Sequence, residues 1–190
     1  MGTPRIAIIG AGLSGLACGL DLQAAGFTVT LFDKSRGPGG RACTRRTPHG
    51  RFDHGAQYFT ATDPNFSRQV KEWAKLGWVK VWDARFGDHS DGRFTPQNPR
   101  RPRWVGSPRM SVLGRQLAST LDVRLQHKLT GLIPSTSRWR LSFEEDQPSN
   151  EYDWVVFTCA GPQAQSLMPE STTLRASATT LQYRPCWALM

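Results

Sequence analysis

The feature that most constrains this chain is the abrupt change of pattern at Gly10. Ile6-Ala7-Ile8-Ile9 is a short apolar run, Gly10-Ala11-Gly12-Leu13-Ser14-Gly15 breaks it, and Leu16, Leu20 and Leu22 then recur at roughly helical spacing. That order reads as strand, glycine turn and helix. In such a unit the first glycine permits the tight turn, the second lets a pyrophosphate approach bare backbone, and the third lets the helix pack close to the strand. The unpaired N–H groups and the dipole at the helix N-terminus favour an anion there. Gly26 closes the helix and Val29-Thr30-Leu31-Phe32 forms a second buried strand. Asp33 then sits about 20 residues past the glycines, where an acid meets ribose hydroxyls. A carboxylate at that place argues against a 2′-phosphate.

A plain nicotinamide dehydrogenase would enter its next helix after Asp33, but Arg36-Gly37-Pro38-Gly39-Gly40-Arg41 follows instead. A second glycine-rich segment with two guanidinium groups can wrap the other side of a pyrophosphate. The bland alternative is a flexible basic loop. Further on, Gly55-Ala56-Gln57-Tyr58-Phe59 sets small residues before an amide and two aromatics. Small residues let a flat ring system lie against backbone, and the amide and phenol reach polar edges. Here the alternative is a bulged strand with an aromatic in the core.

Taken together, Gly10 to Gly15, Asp33-Lys34-Ser35-Arg36-Gly37-Pro38-Gly39-Gly40-Arg41 and Asp53-His54-Gly55-Ala56-Gln57-Tyr58-Phe59-Thr60 resemble the FAD-binding half of the monoamine-oxidase-like flavoproteins. Within that superfamily the likeness is closest to the bacterial renalase group. Trp104-Val105-Gly106-Ser107-Pro108-Arg109-Met110-Ser111 and Pro162-Gln163-Ala164 fit the same pattern, so the resemblance covers essentially the whole chain. It implies FAD contacts at Gly10, Ala11, Gly12, Leu13, Ser14, Gly15, Asp33, Lys34, Arg36, Gly40 and Arg41. It further implies contacts beside the flavin ring at Gly55, Ala56, Gln57 and Tyr58, and a backbone contact to adenine near Lys128 and Leu129. The family generally has proline at the position of Ala160, a departure that puts the contacts of that turn in doubt.

The resemblance also implies an activity: an FAD-dependent oxidase that returns isomeric dihydronicotinamides to NAD(P)+, with O2 as electron acceptor and H2O2 as product. Amine oxidase is the broader label. The partners implied are a small-molecule substrate, a dihydronicotinamide or an amine, and O2. No catalytic base is named, because the hard chemistry is the flavin's. Family members usually continue well past Met190, whereas this chain stops inside what reads as a strand, Cys186-Trp187-Ala188-Leu189-Met190. A truncated reading frame or a fragment is the expectation, with weak FAD binding by the 190-residue form. Two rivals stay open: a NAD-dependent Rossmann dehydrogenase, and an inactive fragment that retains pieces of a cofactor site.

The rest of the chain reads as follows. Asp63-Pro64 caps a helix marked by Phe66, Val70 and Trp73 that stops at Leu76 or Gly77. Trp78 to Trp82 alternates as a strand, and Gly87 to Gly92 supplies the turn of a hairpin. Ser107-Pro108 reads as the cap and first turn of another helix, with Met110, Val112, Leu113, Leu117 and Leu121 facing a core. Val123 to His127, Leu129 to Ile133 and Trp139 to Phe143 read as strands, and Trp154 to Thr158 as a buried parallel strand ending at Cys159-Ala160-Gly161-Pro162. The fold class expected is α/β, a Rossmann-like FAD-binding parallel sheet interrupted by a mixed α+β substrate-domain segment, and incomplete. The expected division gives 1–62 and 107–168 to the FAD-binding domain and 63–106 to the substrate domain, whose second segment starts in 169–190.

Composition narrows the partners. The net charge of +9 normally raises nucleic acid or membrane surfaces. The excess is mostly arginine, in Arg36 to Arg51, where cofactor phosphates account for it, and in Arg93 to Arg103. The second cluster is proline-rich and lacks the spacing of a DNA-reading helix, so it reads as a solvated loop, with contact to an anionic substrate as the second choice. Nucleic acid is not expected as a partner. No stretch approaches the roughly 20 apolar residues of a membrane span. Cys18, Cys43, Cys159 and Cys186 lack zinc spacing and read as reduced thiols of a cytoplasmic protein. Cys43 invites a covalent flavin link, against the plainer reading of a small buried residue. His49, His54, His89 and His127 show no metal spacing, and only His54, beside Gly55, invites contact with flavin or substrate.

Overall fold

Strands that read apolar at nearly every position belong in a parallel sheet covered on both faces, and two such runs lie at the start of this chain. The computed structural model describes residues 2–98, 100–144 and 150–186. In chain order the elements are β1 (Arg5–Ile9), α1 (Leu13–Ala24), β2 (Thr28–Asp33), β3 (Arg45–Thr47), β4 (Gly50–Phe52), α2 (Pro64–Lys75), β5 (Val79–Val81), β6 (Phe86–Ser90) and β7 (Arg93–Gln97). They continue with β8 (Trp104–Gly106), α3 (Ser111–Ala118), β9 (Asp122–Leu125), β10 (Leu129–Ser135), β11 (Arg138–Phe143), β12 (Glu151–Tyr152), β13 (Trp154–Phe157), α4 (Gly161–Leu167) and α5 (Thr173–Thr179). The chain forms two compact units. One contains the residues up to Arg41 and from Gly114 on, the other Ala42–Leu113.

In the first unit β13, β1, β2 and β9 form a parallel sheet in that order, with Ile8 in register between Val156 and Leu31. Side chains alternate between the two faces of a strand. Ala7, Ile9 and Phe32 pack with Leu129, Leu141, Phe143 and Tyr152 of the antiparallel sheet β10-β11-β12. Leu31 instead meets α1 where Gly19 lets the helix approach, since a Cβ there would stand 3.1 Å from Leu31. Burying each such aliphatic side chain is worth about 1.5–3 kcal/mol, so the two central strands anchor the turn they carry. Asp153 ties the sheet edge together. Its N–H donates to Arg5 O at 2.8 Å, while its carboxylate accepts from Arg5 N at 2.7 Å and Arg138 Nε at 2.9 Å. The Arg5 backbone donor first, and Arg138 second, lower the Asp153 pKa from the usual carboxylate value.

In the second unit α2 begins as its sequence dictates: Asp63 Oδ1 accepts from Phe66 N at 2.9 Å, and Pro64 occupies the first turn. The helix ends at Leu76, followed by Gly77 at φ +74. Val70 of this helix and Val79 of β5 are fully buried. β6 and β7 form a hairpin turned by Asp91 and Gly92 at φ 52 and 74, so of the turn read over Gly87 to Gly92 only the last two residues turn and Gly87 to Ser90 belong to β6. Among the described residues no helix is long and apolar enough to cross a membrane.

The structure differs from the sequence reading at several places. Arg93–Gln97 is strand β7 rather than loop, because the Asp91-Gly92 turn folds it back on β6; it is exposed throughout, and Pro99 of the same run lies outside the described residues. β3 and β4 pair as a short antiparallel hairpin. Ser107-Pro108 does not open a helix: Ser107 N donates to Trp78 O at 2.9 Å and stays with the β5-β8 pair, and α3 starts at Ser111. Its leading N–H groups are met by side chains remote in sequence, Met110 N by Asp53 Oδ2 at 3.1 Å and Ser111 N by Thr44 Oγ1 at 3.2 Å. The strand expected over Val123 to His127 is β9, Asp122–Leu125, ended by Gln126 at φ 59. Residues 42–62 group with the second unit, where the Phe59–Trp104 pairing and the Asp53 contact hold them, so the contact boundary falls after Arg41. Of the final run read as a strand, 187–190 lies outside the described residues.

Candidate dinucleotide site

The turn between β1 and α1 is built by steric necessity. Gly10 has φ +113, and its N–H donates to Phe32 O at 2.8 Å, fastening the turn to the neighbouring strand. A Cβ on Gly15 would overlap Gly10 O and stand 2.7 Å from Thr158 Oγ1, so helix and strand meet only because the side chain is absent. Gly12 is different. A Cβ there would meet nothing within 4 Å, so its missing side chain serves open space above the turn. Gly12 is also the N-cap of α1 and brings no side-chain cap, which leaves the first-turn N–H groups for an anion. Leu13 and Ser14 of that first turn are exposed, while Ala11 is fully buried.

Asp33 stands at the end of β2 as expected, and its partners are now visible. Oδ2 accepts from Ala11 N and Oδ1 from Ser35 N, each at 2.7 Å. A carboxylate offers about four lone-pair sites, so two remain for a ribose diol. The second glycine segment is stitched to the first: Gly39 N donates to Ala11 O at 2.7 Å, and Gly12 and Gly39 form a parallel bridge. Gly40, at φ +55, lies so close that a Cβ would stand 3.1 Å from Gly12 Cα. Lys34, Arg36 and Arg41 are exposed, and among the described residues none is in an ion pair. The donor set is therefore two adjoining glycine backbones, a helix N-terminus, free cations and a half-used carboxylate, which fits an anionic dinucleotide.

The Leu129 side chain is buried in the core beside Phe143, which leaves only its main chain for contact with a ligand. The chain just before it runs beside the end of β2 and the residues that follow it. His127 N donates to Asp33 O at 2.9 Å and Gln126 N to Ser35 O at 3.1 Å.

Two residues of this site escaped the sequence reading. Thr158, at the end of β13, reaches Gly10 O at 2.9 Å and Ile9 O at 3.1 Å through its hydroxyl, which lies beneath the turn. Nothing in the pattern distinguishes it from any polar residue that ends an apolar run. Gly114 lies in α3, and a Cβ there would meet Gly39 Cα at 2.5 Å. Its signal was available: a helix-interior glycine costs about 1 kcal/mol against alanine, so it needs a reason.

Gly55, Ala56, Gln57 and Tyr58 belong to the other unit. Gly55, Gln57 and Tyr58 are exposed there, Ala56 is half-buried, and Phe59 is fixed to Trp104 by two backbone hydrogen bonds of 2.8 and 2.9 Å. The Tyr58 ring lies 6.0 Å from Trp82 and carries the Arg103 guanidinium over its face at 4.6 Å. Cys43 Sγ lies 3.2 Å from His54 Nε2, and burial pushes the Cys43 thiol pKa up. Among the described residues no three His, Cys, Asp or Glu side chains converge to hold a metal ion.

Residues 8–73 match the family described as an NAD(P)-binding Rossmann-like domain. Over 132 residues, 65% of this chain, the sequence is 30% identical to a zeta-carotene-forming phytoene desaturase of Myxococcus xanthus, of which it spans only 25%. Among solved structures, a putrescine oxidase redesigned in its cofactor binding superposes with a TM-score of 0.67 at 14% identity, over 88% of this chain and 60% of that one. A CLA-producing fatty acid isomerase from P. acnes superposes with a TM-score of 0.72 at 15% identity, over 93% of this chain and 63% of that one. The chain thus joins an NAD(P)-binding Rossmann-like sequence to a fold of mixed α/β type that it shares with putrescine oxidase, and it spans a quarter of the desaturase.

Proposed function

We propose that this chain is the FAD-binding part of an amine-oxidase-type oxidoreductase, and that it acts as a renalase-like oxidase on dihydronicotinamides isomeric with NAD(P)H. The observation that carries the reading is the Gly39 N–H donating to Ala11 O, which joins two glycine-rich segments into one backbone surface. A nicotinamide dinucleotide needs only the first of these. The names of the relatives, a desaturase and an oxidase, support redox chemistry. On this reading the α1 N-terminus and bare Gly12 hold the pyrophosphate, and Asp33 holds ribose hydroxyls with its free lone pairs. Arg36 and Arg41 neutralise phosphate charge, and the Leu129 backbone borders adenine. For Gly55 to Tyr58 the assignment to the flavin ring comes from the family resemblance alone. FAD, when bound, would supply the hydride acceptor, and the overall reaction balances as dihydronicotinamide, O2 and one proton giving NAD(P)+ and H2O2. No side chain is assigned as a base, since a hydride leaving the ring carbon needs none.

The test is anaerobic mixing of the protein, with FAD at saturation, against dihydronicotinamide isomers and against putrescine. Bleaching of the flavin by the isomers alone is the expected result. Bleaching by the amine alone, or by neither, overturns the substrate assignment. A second reading, a NAD-dependent dehydrogenase, is favoured by the family description of residues 8–73, and comparative titration with FAD and NAD+ separates the two.

A further inference from the structure

Arg103 belongs to the second unit, and its guanidinium carbon lies 4.2 Å from the centroid of the Phe86 ring and 4.6 Å from that of Tyr58. The surroundings are built rather than incidental. Trp82 N donates to Arg103 O at 2.8 Å, which fixes the main chain, and the Trp82 ring meets Phe86 edge-on at 5.1 Å and Tyr58 at 6.0 Å. Ring faces attract a cation but accept no conventional hydrogen bond, so the planar fork of N–H donors stays available. Arg103 is half-buried, and among the described residues it has no carboxylate within ion-pair distance. Arginines drawn out of water are normally paired. Arg100 and Arg101, just ahead of it, add to the local positive field.

A hollow of about 630 Å³ shares Trp82 and Phe86 with this cluster, and its lining adds the apolar Val81 and Phe94 and one charge of each sign, Asp83 and Arg85. That volume is in the range of small-molecule sites. A hollow with Trp82, Phe86 and Phe94 in its wall, beside a guanidinium that lies over two ring faces, suits a ligand with a planar apolar body and a phosphate group. We propose that Arg103 is an anion-recognition residue that binds a phosphate oxyanion in bidentate fashion, with the planar part of the same ligand lying against Trp82 and Phe86. The identification of that ligand as a dihydronicotinamide nucleotide rests on the proposed function; the anion chemistry does not.

The test reads the guanidinium itself. In the full chain labelled with ¹⁵N-arginine, the Arg103 Nε–Hε resonance is assigned by its loss in Arg103→Lys and followed during titration with inorganic pyrophosphate. A saturable shift is expected, with an affinity unchanged by Gly12→Val in the other unit and changed less than about twofold by Arg101→Ala, an exposed charge. No shift, a non-saturating shift shared with the other arginines, or a shift abolished by Gly12→Val would each overturn the site. In a second arm, dihydronicotinamide mononucleotide is expected to reproduce the shift and the phosphate-free riboside is not; equal effects of the two overturn phosphate recognition. A protein that shows this shift yet binds no flavin overturns the proposed function and leaves the anion site standing.

Discussion

The Asp33 carboxylate accepts the Ala11 backbone N–H at 2.7 Å, so the acid that ends β2 also fastens the glycine turn that follows β1. Replacing it therefore removes a ribose partner and a turn brace together. A hydrogen bond to a charged group is worth about 1.5–3 kcal/mol, so Asp33→Ala is expected to weaken dinucleotide binding roughly 10- to 100-fold. Calorimetric titration with FAD checks this, and an unchanged affinity would exclude Asp33 from the site.

Gly12 and Gly15 separate binding from folding. Gly12→Val points into open space, so it is expected to cost only about 1 kcal/mol or less, from the poorer N-cap, while blocking approach of the pyrophosphate. Gly15→Ala drives a methyl into Gly10 O and the Thr158 hydroxyl, and is expected to cost about 1–3 kcal/mol of stability. Urea unfolding of both variants, with FAD titration beside it, gives the comparison. Equal destabilisation would contradict the geometry.

Arg41 and Arg103 make a second contrast. Arg41 follows directly on the glycine segment that pairs with Ala11, whereas Arg103 belongs to the other unit. Arg41→Ala is expected to lower FAD affinity by about tenfold, as loss of a charge-assisted contact should, and Arg103→Ala much less. Equal losses in the same titration would count against the assignment.

Asp153 gives a pH dependence of known sign. Its folded-state pKa lies below the unfolded value, because Arg5 N–H and Arg138 favour the charged form. Its contribution is therefore complete above about pH 4, the unfolded carboxylate value, and is lost as pH falls through the lower folded value. Asp153→Asn is expected to lower the urea midpoint at pH 7, and the gap to the parent protein should narrow on acidification below pH 4. A gap that is constant with pH would show that the carboxylate charge plays no part.

The four cysteines differ in access. Burial raises the thiol pKa of Cys18, Cys43 and Cys159, whereas Cys186 is exposed. Since the thiolate is the nucleophile, Cys186 is expected to react first with a maleimide at neutral pH, as read by peptide mass mapping. Faster labelling of Cys43 would instead reveal an activated thiol beside His54.

The start of the fold was legible because each level of the sequence agrees: apolar runs, glycine placement and the acid after the second strand all serve one unit. The α2 cap was equally plain, since its signal is local, and Asp91-Gly92 marked a turn, although Gly87 to Ser90 were read into that turn and are strand. What escaped depends on partners distant in the chain. Ser107-Pro108 looks like a helix start, yet Thr44 and Asp53 place that start at Ser111. The role of Gly114 appears only when Gly39 is packed against it, and that of Thr158 only when β13 is seated beside β1. The Arg103 cluster draws on Tyr58, Trp82 and Phe86, three separated positions that no spacing rule connects.

The central claim is that two joined glycine segments make this an FAD site rather than a nicotinamide site. Parallel titration of the full chain with FAD and with NAD+, read by flavin fluorescence and calorimetry, tests it most directly. Tighter binding of FAD, lost in Gly12→Val, is the predicted result; binding of NAD+ as tight as that of FAD or tighter would contradict the claim.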